Sequence, residues 1–322
     1  MILPKIENKT QEKIQKIVFI DYPREHLGVS ILGHHCERWL WLTFRWAVLK
    51  QHDWRLMRIF ARGHREEADM VQLLTKAGFS LRNHGENQQK LNLGCHVGGS
   101  PDGIISGVIE APKTPHILEI KTHNVRSFND LIKNGVEKSK PLHFIQMQLY
   151  MLGAKLTRAL YVAVCKDDDR LHVERVRLDK TVAQATLQRG QRIAVDNRLP
   201  PPCSNDPTWY QCRLCDGHKF CHVTKTTKEV NCRTCAHSTA KPDSTWLCEN
   251  FDIGLKYANQ ISGCTAHIFH PDMVPWKHLA SPTDDYAVYV IDDVEVKNGH
   301  GIGAISSMDI IANLKSKNNG SL

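Results

Sequence analysis

Two hydrophobic periods alternate along this chain. From His34 to Gly78 apolar residues recur every three to four positions, first in HHCERWLWLTFRWAVLKQ and then in LMRIFARGHREEADMVQLLTKAG. That spacing predicts helices, with Gly78 as a C-terminal stop. Residues 91–122 break into short apolar runs separated by Gly and Pro, the pattern of strands joined by turns. HFIQMQLYMLGAKL (143–156) is helical again, and ALYVAVCK (159–166) and LHVERVRL (171–178) read as strands joined by the charged turn 167–170. A helix over 180–197 ends before LPPP at 199–202, and the tail at 282–322 offers a strand-like YAVYVI and a short helix from Ser306 or Ser307. Interleaved helices and strands of this kind predict an α/β fold. Beyond Cys203 the composition shifts to a small cysteine-rich module.

Length and composition narrow the class. The 322 residues leave room for two domains of roughly 150 residues each, or for one domain with small modules. No run of 18 apolar residues occurs and MILPKIENKTQEK has no apolar leader core, so the expectation is a soluble cytoplasmic protein with no membrane partner. A net charge of +8 fits a polyanionic partner such as DNA without singling it out. Eleven cysteines, an odd number, point to metal sites rather than to a complete set of disulfides.

The stretch GGSPDGIISGVIEAPKTPHILEIKTHN, 98–124, carries the candidate chemistry. On a strand, Glu119 and Lys121 point one way and Leu118 and Ile120 the other, into the core. A returning hairpin would bring Asp102 alongside Glu119. Two carboxylates held together repel, and a divalent cation neutralises them; a set of oxygen ligands suits Mg²⁺ or Mn²⁺. A lysine beside them can orient or help deprotonate the water that hydrolyses a phosphodiester. A hairpin with solvated charges explains any lone match of this kind equally well. Two neighbours shift the balance: Glu67 in GHREE adds a third acid inside a helical run, and Gln146 and Tyr150, four apart, share a helix face.

GxxxE (Gly63 to Glu67), SPDG (100–103), LEIK (118–121) and QxxxY (146–150), in this order, resemble the motifs of the PD-(D/E)xK nucleases, in particular the lambda-exonuclease and YqaJ-type viral recombinases and the RecB-type nuclease domains. The resemblance covers residues 34–180. It implies a restriction-endonuclease-like α/β core, a central mixed sheet flanked by helices, in which Asp102, Glu119 and the Ile120 carbonyl bind the metal. Glu67 would bind it directly or through water, Lys121 would assist the water, and Gln146 and Tyr150 would support the site. Several RecB-type relatives carry His where this chain has Glu67; His64 follows Gly63 directly and is misplaced for that role. The resemblance further implies a Mg²⁺-dependent deoxyribonuclease, an exonuclease of phage-type recombination or repair. Its partners would be DNA and a single-strand annealing or single-strand-binding protein, in a host cytoplasm if phage-encoded.

Two cysteine sets follow. Cys212, Cys215 and Cys221 make a zinc site if His222 or Cys203 completes it. The spacing also resembles the iron–sulfur nucleases such as AddB and those of CRISPR adaptation. That likeness implies that Cys36 joins the three to hold a four-iron–four-sulfur cluster, stapling residues 1–222 into one nuclease domain. Four thiolates suit either occupant. Cys232, Cys235, Cys248 and Cys264 match a closed structural zinc site in a module spanning 223–275, with His237 and His267 as possible substitute ligands. Residues 276–322 remain as a tail, and Cys95 and Cys165 are expected in the core. Two other functions fit parts of the chain: an inactive nucleic-acid-binding protein on a nuclease fold, and an iron–sulfur redox protein. The second leaves the acidic cluster unused and lacks a GxGxxG after a strand.

Overall fold

The computed structural model describes residues 8–17, 23–49, 52–280, 283 and 285–319; Lys50 and Gln51, at the end of the first expected helical run, lie outside them. The chain groups into two units, one of residues 1–23, 50–92 and 98–186, the other of residues 24–49, 93–97 and 187–322. These units interleave along the sequence.

The first unit is a mixed α/β layer. Helix α1 (Trp54–Lys76) starts where the Asp53 carboxylate accepts the Leu56 N–H at 2.7 Å. It stops at Gly78, φ +92°, where the N–H groups of Gly78 and Phe79 return to the carbonyls of Thr75 and Leu74. Five strands follow: β1 (Ser80–Arg82), β2 (Gly103–Ser106), β3 (His116–His123), β4 (Arg158–Cys165) and β5 (Leu171–Arg177), in the spatial order of the sequence. Only the β3–β4 pair is parallel. A parallel neighbour needs a crossover, and helices α2 (Val125–Ser139) and α3 (Pro141–Ala154) supply it. Met70 and Val71 of α1, Leu118 and Ile120 of β3 and Leu160, Val162 and Val164 of β4 form one apolar core. Burying each such side chain contributes about 1.5–3 kcal/mol. The expected strands at 159–166 and 171–178 and the expected helix at 143–156 are all present.

In the second unit the apolar run after His34 yields a helix of only eight residues, Glu37–Phe44. Arg45 already leaves helical geometry and Trp46 turns to φ +54°, where its indole N–H donates to the Arg24 carbonyl at 3.0 Å. The buried Arg233 guanidinium stacks 3.7 Å from that ring. The expected tail is part of this unit's core: Ile268, Phe269 and Val274 pack with Ala287 and Tyr289 of the Tyr286–Ile291 strand and with Ile310 and Ile311 of the Ser307–Asn319 helix. The Tyr286–Ile291 strand is central in an antiparallel trio with Lys277–Ala280 and Val294–Gly299. Among the described residues no helix is long and apolar enough to cross a membrane.

Candidate functional site

Strand pairing delivers the first carboxylate. The β2–β3 register sets Gly103 against Leu118, so Asp102, one residue ahead of β2, falls beside Glu119. Its Oδ2 accepts the Ile120 N–H at 2.7 Å, which fixes the side chain at the strand end. Alternation along β3 sends Leu118 and Ile120 into the core under α1 and Glu119 and Lys121 to the other face, as the sequence predicts. That other face is not open: Glu119 is 0% exposed.

Burial decides the electrostatics. It pushes the Glu119 carboxyl up to about 8, against the opposing pull of Lys121 and with Asp102 and Glu67 adding to the rise. Oε1 takes a short contact from the Lys121 ammonium, and Oε2 is buried with no hydrogen-bond partner. Burial works against the Lys121 charge, but the Glu119 and Asp102 carboxylates win and hold its pKa above the usual lysine range. Glu67 reaches the cluster from α1, one turn before Met70. Its carboxyl is raised by burial and by Asp102, while Gln88 Nε2 donates to Oε1 at 2.7 Å and opposes the rise. On α3, Gln146 Nε2 lies 3.4 Å from the Tyr150 hydroxyl; both side chains are buried, and burial and then Glu119 raise the Tyr150 pKa. Glu67, Asp102, Glu119, Lys121 and Tyr150 are thus coupled through one small region of the first unit. His64 is exposed on α1.

The residues present suit a hard cation. The unpartnered Glu119 Oε2, the Asp102 and Glu67 carboxylates and the Ile120 carbonyl, 3.4 Å from the Lys121 ammonium, are all oxygen donors, the kind such an ion takes. Among the described residues no three His, Cys, Asp or Glu side chains are placed so that together they could hold a metal ion.

The thiols gather in two chambers of the second unit. Cys36, Cys212, Cys215 and Cys221 line one cavity together with Cys203. Partial desolvation and then the Cys36 and Cys212 thiols raise the exposed Cys203 thiol to about 12, burial raises the Cys215 thiol to about 11, and the Gly217 N–H points at Cys215 Sγ, 3.3 Å away. Cys232, Cys235, Cys248 and Cys264 line the other cavity; burial and the neighbouring thiols push Cys232 up to about 12. His267 is not a spare ligand there, because its two nitrogens already meet Ser307 Oγ at 2.8 Å and Thr234 Oγ1 at 3.0 Å. Cys165 is core, but Cys95 sits half-exposed in a tight turn at φ +45°.

Sequence reasoning passed over Gln88, which holds Glu67, and a buried polar trio next to the acids, His123, Tyr161 and His143. The signal for His143 was present: it stands three residues before Gln146, on the same stripe of α3.

No family model and no curated relative matches the chain. Among solved structures it is similar to an alkaline exonuclease, LHK-Exo, from Laribacter hongkongensis, at 17% identity over 53% of this chain and 87% of that one, TM-score 0.37. LHK-Exo in complex with dAMP matches at 17% identity over 52% and 86%, TM-score 0.40. A phage related exonuclease from Haemophilus somnus 129PT matches at 15% identity over 47% and 79%, TM-score 0.30. Likenesses of this size carry no weight, and the functional reading rests on the site.

Proposed function

We propose that the first unit is a PD-(D/E)xK-type nuclease core that hydrolyses DNA phosphodiesters with Mg²⁺ or Mn²⁺, acting from strand ends in recombination or repair. The observation that carries this reading is the buried Glu119 carboxylate, lacking a partner for Oε2 and placed beside Asp102, Glu67 and Lys121. Glu67, Asp102, Glu119 and the Ile120 carbonyl would hold the ion, which when bound supplies neutralising charge for the phosphate and acidifies water. Lys121, kept protonated by its two carboxylate neighbours, orients that water and neutralises charge developing on the phosphate. Asp102 is locked by the Ile120 N–H and Glu67 by Gln88, so neither needs to reorganise when the substrate arrives. Tyr150, neutral in its buried position, donates its hydroxyl proton as a hydrogen bond towards the site, with Gln146 holding the ring oxygen.

In the same reading Cys36, Cys212, Cys215 and Cys221 hold a four-iron–four-sulfur cluster, with Zn²⁺ as the alternative occupant, and Cys232, Cys235, Cys248 and Cys264 hold structural Zn²⁺. The shared cavities support both assignments. A single-strand annealing or single-strand-binding protein is the proposed partner besides DNA.

End-labelled DNA incubated with Mg²⁺ tests the reading. The wild type should degrade it, and Asp102→Ala and Lys121→Ala should each lose at least about 100-fold in rate while retaining the far-UV circular dichroism of the wild type. Equal cleavage by all three proteins would sink the assignment; binding without cleavage by the wild type would favour an inactive DNA-binding protein.

A further inference from the structure

Beside the acids lies a polar chain that the proposed chemistry leaves unused. Tyr161 stands on β4 directly opposite Glu119 in the parallel register and is 0% exposed. Its hydroxyl is 2.9 Å from His123 Nε2 and 2.8 Å from His143 Nδ1, and His123 Nδ1 is 3.1 Å from Ser127 Oγ. Both imidazoles are neutral at physiological pH. Burial, then Lys140 and Lys121, holds His123 at about 4; burial, then Lys121, His123 and Lys140, holds His143 at about 3.

A hydroxyl has one proton, so between two neutral imidazoles it donates to one and accepts from the other. Fixing the direction at one end therefore fixes every tautomer in the line. His143, Gln146 and Tyr150 fall at i, i+3 and i+7 on α3, one stripe of the helix. The His143 ring is only partly buried, and its Nε2 makes no hydrogen bond among the described residues.

We propose that Ser127, His123, Tyr161 and His143 form a directional relay that presents the His143 Nε2–H to a phosphate oxygen of the bound strand. Ser127 donates to His123 Nδ1, His123 Nε2–H donates to the Tyr161 oxygen, and the Tyr161 O–H donates to His143 Nδ1. The reverse direction would aim a lone pair at an anion and is unfavourable once a phosphate occupies the site. His143 then touches the substrate, and Tyr161 and His123 act through it as positioning residues. The inference rests on the nuclease reading above and adds a phosphate contact that none of the sequence motifs contains.

Steady-state DNA cleavage by five proteins tests it: the wild type, Tyr161→Phe, His143→Leu, His143→Gln and the double variant His143→Gln/Tyr161→Phe. A phosphate contact made in ground and transition states alike changes KM rather than kcat. Tyr161→Phe and His143→Leu should each raise KM about tenfold with kcat within about twofold. Glutamine keeps an amide N–H near the place of Nε2 and needs no tautomer, so His143→Gln should stay within about threefold of the wild type, and adding Tyr161→Phe to it should change KM no further. A merely structural Tyr161 exacts the same penalty in both backgrounds, and that additivity would overturn the relay. So would a wild-type KM in Tyr161→Phe or, where that variant fails to fold, equal KM rises in His143→Leu and His143→Gln. Failure of the wild type to cleave at all would remove the nuclease reading itself, and the relay with it.

Discussion

Replacing Glu119 by glutamine separates what the buried charge costs from what it does. Glu119 is 0% exposed, and its carboxyl is pushed up from 4.5 to about 8, chiefly by burial, with Lys121 opposing. In the metal-free protein the folded state therefore keeps a proton that the unfolded chain releases as pH rises from 4.5 to about 8. Stability falls with rising pH wherever the folded state binds more protons, so this group destabilises the fold progressively across that window. The slope is about 1.4 kcal/mol per pH unit, and the full rise in pKa corresponds to on the order of 5 kcal/mol. Glutamine has the same shape and does not titrate. In the wild type Lys121 is held protonated, the Glu119 and Asp102 carboxylates raising its pKa against burial. Urea unfolding with a chelator at pH 5, 6.5 and 8 should show the stability of Glu119→Gln relative to wild type growing by about 1.4 kcal/mol per pH unit, and levelling off above pH 8. Added Mn²⁺ should shrink the gap at pH 8, because a ligand at a hundred times its Kd stabilises the wild type by about 2.7 kcal/mol. A difference that stays flat between pH 5 and 8 would refute the claim that a carboxylate is confined there against its solvation.

Two further outcomes follow from the packing. Gly63 lies inside α1, and a Cβ built on it meets nothing within 4 Å, so Gly63→Ala should raise stability by about 1 kcal/mol from helix propensity alone; a lower melting temperature would show that the glycine is structurally required. The purified protein should contain iron and zinc together, and Cys248→Ser should remove one equivalent of zinc and lower the melting temperature; two equivalents of zinc without iron would replace the cluster proposed at Cys36, Cys212, Cys215 and Cys221.

The hairpin was legible because strand alternation is a local rule. Leu118 and Ile120 against Glu119 and Lys121 is a pattern of period two, and the Gly- and Pro-rich stretch ahead of it announced the turn that returns Asp102. What the pattern could not give is depth. A charged face on a strand predicts half-exposure, whereas α2 and α3 cross between β3 and β4 and Glu119 is sealed from solvent. Tyr161 hid for a related reason: ALYVAVCK reads as a uniformly buried strand, and nothing in one sequence says which neighbour a buried hydroxyl will meet. The helix expected after His34 failed at Arg45 because a tertiary interaction, Trp46 over the Arg233 guanidinium, outweighed an apolar periodicity that continues through Ala47. Cys203 was weighed only as a possible zinc ligand and stands in the chamber with the other four thiols, a convergence that spacing cannot express.

A chain selected only for stability would not keep Glu119. Among the described residues it is the one acidic side chain in the buried class, and a Gln or Leu of similar volume at that position would avoid the desolvation that lifts its carboxyl to about 8. The lysine beside it does not remove the cost, since it satisfies one oxygen and leaves Oε2 without a partner. Local conflict of this kind, in a sheet whose opposite face is packed with Leu118, Ile120, Val162 and Val164, marks a place where folding and function pull apart. Arg233, buried in the second unit, shows the contrast. Arg233 donates to the Gln260 side chain and to the carbonyls of Phe44 and Glu25, and aromatic rings cover it, so its burial is matched by its surroundings. Glu119 is buried without such matching, with Oε2 unpartnered and the Asp102 and Glu67 carboxylates adding to the rise in its pKa. That is the physical reason to look for a divalent cation here before looking for it anywhere else in the molecule.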